Sequence, residues 1–200
     1  MSAEVLRDLA KDIRKTAKIR FNAAARLEYQ HTLSQWTVAL SSTALILIPL
    51  IVVFQLPSHF SEPEVAAAQV ALAVVVLVSS LLLGHENYSL RAAKQHQCGL
   101  ALLTLAHEAR AEALLATVEV ERLKHFLTQY EHILAAAENH DEQDRLIFRL
   151  DNEELTTEQR IRTYLKFRWY RTLSIAHFLL LLAISVGALG YFAVSVLNAS

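Results

Sequence analysis

The chain has 200 residues, of which 54% carry hydrophobic side chains and 20% a formal charge, with three prolines and four glycines; it is more apolar and less punctuated than an ordinary soluble domain. Its 19 basic and 20 acidic residues nearly cancel, which removes any overall basic field and with it the expectation of direct nucleic-acid binding. One cysteine, Cys98, excludes an internal disulfide and places the polar parts of the chain in a reducing compartment.

Residues 1–34 are charged and amphipathic. Leu6, Leu9, Ile13, Ala17, Ala24 and Leu27 recur at steps of three and four, with Arg20 interrupting the apolar stripe, so a cytoplasmic amphipathic helix is expected here rather than a cleaved targeting peptide. No Asp, Glu, Lys or Arg lies between Glu28 and Glu62. Residues 35–55 are therefore a first membrane span. Ser34, Thr37 and Ser41 fall on one face of it, and this hydroxyl face either packs against another helix or lines a water-filled path. A link with Pro57 and Pro63 follows, and residues 65–83 form a second span of minimum length.

From Ala92 the residues Gln95, Gly99, Leu102, Ala106, Ala109, Ala113, Ala116, Val120, Leu123, Leu127, Tyr130, Leu134 and Ala137 continue a heptad seam. One straight helix leaving the second span would reach about 75 Å; a fold-back suits the pattern equally. The seam is mostly alanine in its middle, which favours close backbone approach to a partner helix. The periodicity stops at the polar cluster Glu138, Asn139, His140 and Asp144. Asn139 is expected as a left-handed helix stop, followed by a short helix over 143–150 and a turn at Asp151-Asn152. Thr156 and Gln159 have the spacing of a capping box. The helix they start can run into a third span, because no charge follows Arg171. Within that span Ala183 and Gly187 form a small-xxx-small pair suited to close helix contact.

The fold class expected is all-α: three transmembrane helices and a cytoplasmic helical bundle or coiled coil. Its parts are 1–34, the hairpin 35–83, the body 84–171 and the third span with a short tail, 172–200. Seven of the basic residues precede the first span and twelve lie between the second and third, which directs both charged regions to the cytoplasm and the C-terminus outside. The aromatic and basic run Lys166-Phe-Arg-Trp-Tyr-Arg171 suits a headgroup layer.

No metal-ligand spacing, nucleophile and base pair or glycine-rich phosphate loop is present, so neither catalysis nor a cofactor is expected. His96 and Cys98 diverge on a helix, and His125 and His132 lie about 10 Å apart along one.

The order of parts carries a resemblance. A basic amphipathic helix ending Arg26-Leu-Glu-Tyr-Gln-His-Thr-Leu-Ser34, a two-span hairpin and a polar helix beginning Tyr88-Ser-Leu-Arg-Ala-Ala-Lys-Gln-His resemble the SLATT domain family, two-transmembrane effectors of prokaryotic conflict systems. Tyr130-Glu-His-Ile-Leu134 with Glu138-Asn-His140 and Asp144 is most similar to the branch encoded with reverse transcriptases. The resemblance implies a pore-forming or membrane-disrupting effector, held quiet until a partner senses infection. Its implied partners are the lipid bilayer, further copies of the chain, and a reverse transcriptase or nucleotide-signal-producing protein. The third span exceeds a two-span plan. A non-conducting membrane scaffold that recruits a soluble partner through the coiled coil is the alternative.

Overall fold

The computed structural model describes residues 3–54, 61–115, 119–139 and 141–199, and among them there are six helices and no strand. They are α1 (Ala3–Val53), α2 (Glu62–Glu86), α3 (Tyr88–Glu112), α4 (Val120–Ala135), α5 (Glu142–Asn152) and α6 (Thr157–Ala199). The chain divides into two compact units, one of residues 1–29 and 89–171, the other of residues 30–88 and 172–200.

In the first unit the two seams meet. Leu6, Ala10, Ile13 and Ala17 of α1 share a buried core with Cys98, Leu102, Leu105, Ala106, Ala109 and Ala113, and Phe126 of α4 closes it. The small seam residues of α3 admit α1 closely, most tightly at Gly99, where a Cβ would stand 2.8 Å from the Phe21 ring. The heptad repeat is thus satisfied inside one chain and in a folded-back form. α3 ends at Glu112, and α4 begins at Val120. On α4 the core residue is Phe126 at 3% exposure, while the seam residue Leu127 is 39% exposed. Arg122 grips Glu112 with two hydrogen bonds of 3.2 and 3.1 Å, and Thr16 and Tyr130 share a hydroxyl bond of 2.8 Å.

Three local expectations are corrected. The left-handed residue is Asn87 (φ 46°, ψ 40°), between α2 and α3, rather than Asn139; a single residue there ends α2 at low steric cost because the Asn amide can bond nearby backbone, here the His85 carbonyl. The helix over the 143–150 region is longer at both ends and includes Asp151 and Asn152, because Asn152 bonds the Phe148 carbonyl instead of opening a turn. The chain turns at 153–156. The capping box of Thr156 and Gln159 forms, with both reciprocal bonds in place.

In the second unit, α1 continues through Pro49 to Val53. α2 opens at Ser61 with a capping box to Glu64 and with Pro63 in its first turn. Ala44, Ile48, Val65, Leu72 and Phe192 form its small core. Ile46, Leu47, Val70, Leu77, Leu81 and Leu180 point outward, an apolar exterior that water would penalise and hydrocarbon would not. Three helical stretches, within Ala3–Leu50, Glu62–Glu112 and Thr157–Val194, are long and apolar enough to cross a membrane.

Candidate functional sites in the two units

The polar residues that break the apolar seams are the buried ones of the first unit. Arg20, which interrupts the apolar stripe of α1 after Ala17, is 2% exposed. Its Nη1 donates to Gln95 Oε1 at 3.1 Å and to the Glu138 carbonyl, which also accepts from Gln95 Nε2 at 2.9 Å. Arg20 Nε has no hydrogen-bond partner among the described residues. Six residues further along α1, Arg26 forms a two-pronged bond with Asp144: Nε to Oδ1 at 2.9 Å and Nη2 to Oδ2 at 3.1 Å. Its Nη1 reaches Asp141 at 3.1 Å.

Asp144 does two jobs. Its Oδ2 also accepts from the Asp141 backbone N–H at 3.0 Å, completing the capping box that starts α5. A 2% exposed carboxylate is tolerated because an ionised acceptor is met by a fork of donors and a helix N-terminus. Glu138 adds Arg91 at 2.9 Å, so α1, α3 and the segment between α4 and α5 are tied at one place. Asp144 and Glu138 therefore belong to this network, Asn139 is exposed beside it, and His140 lies outside the described residues. The thiol of Cys98 sits in the adjoining core, and burial pushes its pKa up against the smaller opposing pull of the Arg20 charge. Neither Arg20 nor Arg26 was assigned a role from sequence; the signal was present in Arg20 and Gln95 as polar residues at seam positions.

In the second unit the hydroxyl face of α1 is buried: Ser34, Thr37 and Ser41 are 4, 1 and 3% exposed. Ser34 donates to the His31 carbonyl at 2.6 Å and Thr37 to the Leu33 carbonyl at 2.8 Å. Ser41 shares a 2.7 Å bond with Ser185 of α6, and Ser185 also donates to the Leu181 carbonyl at 2.9 Å. Gln30 reaches Ser174 on the same pair of helices. The α6 face turned to α1 is therefore that of Ser185. Ala183 and Gly187 are exposed, and a Cβ built on Gly187 meets nothing within 4 Å, so this pair lies on an open face of α6.

The family model described as SMODS and SLOG-associating 2TM effector domain family 5 matches residues 2–191. The matched length takes in most of the third apolar helix as well as the hairpin. No curated protein and no solved structure matches the chain.

Proposed function

The chain belongs to the SMODS and SLOG-associating 2TM effector domain family 5, and from that premise we propose that it is a membrane effector of a bacterial antiphage system. In this reading it oligomerises and permeabilises or depolarises the inner membrane when a partner signal changes its packing. The carrying observation is the buried line of hydroxyls, Ser34, Thr37, Ser41 and Ser185, inside a unit whose exterior is apolar. In this structure those hydroxyls are spent on their own helix carbonyls and on each other, as expected of polar groups between packed helices. On activation, loss of the Ser41–Ser185 bond frees those two hydroxyls to face water between copies, in line with Ser34 and Thr37.

Other parts of the reading follow from the residues. The crowding of all 19 basic side chains before the first span and between the second and third supports an N-terminus and residues 84–171 in the cytoplasm and a C-terminus outside. The open face at Ala183 and Gly187 supports contact between copies of the chain, since small residues permit close helix approach. The resemblance of the Tyr130–Leu134 and Glu138–Asp144 segments to the branch encoded with reverse transcriptases is what favours a reverse transcriptase or a nucleotide-signal-producing protein as the triggering partner. The coiled-coil scaffold is less well supported, because the α3 seam already has α1 as its partner.

The test is membrane potential, read with a voltage-sensitive dye in bacteria expressing the chain alone and then with its neighbouring genes under phage challenge. Depolarisation in either condition, altered by Ser41→Leu in protein that still inserts, is the expected result. An intact potential in both conditions, with the protein in the membrane, would sink the reading.

A further inference from the structure

The first unit carries a second polar feature, distinct from the Arg20 and Asp144 network. Arg7, Lys11 and Arg14 stand at i, i+4 and i+7 on α1, so they share one face. Opposite them stand His107 and Arg110 of α3, at i and i+3, and Leu114 in the turn just after it. Together with Ala10 and Ala106 they line a trough of about 440 Å³, within the range of small-molecule sites. The trough exists because its floor is alanine: the seam that lets α1 and α3 approach leaves no large side chain beneath the cationic walls.

Four permanent cations thus surround one concavity. Lys11 is shared with Asp8 at 2.8 Å, and Arg7 donates to the Ala113 carbonyl at 3.4 Å, which fixes its direction across the trough. Nearby Glu112 is engaged by Arg122 on α4. Arg14 and Arg110 have no ion pair among the described residues. Asp8 and Glu4 offset Lys11, so the charge left uncompensated along the trough is chiefly that of Arg14 and Arg110, and an anion placed between them is attracted by both. The α1 row alone is about 10 Å long. That is more than a single phosphate can touch and suits several phosphates in a chain, and guanidinium groups bind phosphate oxygens through paired donors.

We propose that this trough is a binding site for a small soluble anion carrying several linked phosphate groups, held chiefly by Arg14 and Arg110. The proposal goes beyond the effector reading and stands without it: binding in a chain that leaves the membrane potential intact would still bear it out.

The experiment uses the full chain in phosphatidylcholine nanodiscs with inorganic tripolyphosphate as the probe, read by calorimetry and by amide hydrogen exchange. Expected are saturable binding and slowed exchange over residues 7–14 and 104–114. The double variant Arg14→Ser, Arg110→Ser should bind at least about tenfold more weakly, as loss of two charge-assisted contacts implies. The control Arg162→Ser, Lys166→Ser removes the same charge from a different surface and should stay within about twofold. Absence of binding, or an equal loss in the control, overturns the proposal. Slowed exchange that appears only in phosphatidylglycerol nanodiscs without tripolyphosphate also overturns it, in favour of a lipid headgroup as the phosphate source.

Discussion

Arg20 and Gln95, the polar interruptions of two facing apolar seams, meet each other: the guanidinium donates to the amide oxygen at 3.1 Å, across 75 residues of chain. Each explains why the other is tolerated in the core. Both also donate to the Glu138 carbonyl, but the pair is asymmetric because only Arg20 brings a charge into the core. Replacing Arg20 by Met keeps the Gln95 bond to that carbonyl and removes a buried charge. Replacing Gln95 by Met leaves the buried cation with only the Glu138 carbonyl. Gln95→Met is therefore expected to cost about 2–4 kcal/mol and Arg20→Met distinctly less. Chemical unfolding of both variants in the same detergent measures the difference; a larger loss for Arg20→Met would contradict this account of the node.

Asp144 carries the other buried charge. Asp144→Ala removes the acceptor for both Arg26 prongs and the cap of α5 together. The expected loss is about 3–5 kcal/mol, since one member of a buried pair is left behind. Asp144→Asn keeps the shape and an acceptor oxygen and should lose less. Hydrogen exchange over residues 141–152 should rise first in both.

Gly99 has a steric role. Gly99→Ala would ordinarily gain up to about 1 kcal/mol in a helix, but the added methyl meets the Phe21 ring at 2.8 Å, and that ring is held edge-on by His96 at 5.4 Å. Net destabilisation of about 1–2 kcal/mol is expected from overpacking. In a Phe21→Ala background the same substitution should become neutral or stabilising. A double-mutant cycle reads this reversal of sign directly.

The α3–α4 hairpin should open with acid. The Arg122 guanidinium bonded to Glu112 holds that carboxyl below its ordinary value of 4.5. A carboxylate with a depressed folded-state pKa contributes stability that is fully present above about pH 4.5 and is lost as pH falls through the folded value. Exchange of amides near Glu112 and Arg122 should therefore be flat from pH 7 to 5, after correction for intrinsic rates, and rise only as pH falls below the ordinary carboxylate value. Glu112→Gln should remove the acid-dependent step.

Much of this architecture was legible in the residues because it depends on short stretches. Three uncharged apolar runs specify helices able to cross a bilayer, since the transfer energy of a segment is a property of that segment. The seams on α1 and α3 and the Thr156 and Gln159 box are likewise local patterns of spacing. Where local rules left more than one solution, the reading from sequence stopped or erred: a straight α3 and a fold-back have the same heptads, and Asn87 and Asn139 are both residues that accept the left-handed conformation.

The sequence by itself determined which residues are polar in apolar surroundings: Arg20, Gln95 and Ser41. Only the tertiary structure decided whom each one meets. Arg26 finds Asp144 across 118 residues and Ser41 finds Ser185 across 144, separations over which no periodicity carries information. Burial makes an unmatched polar group costly, but which partner supplies the match depends on how helices fold back, and that is settled by packing of the whole unit.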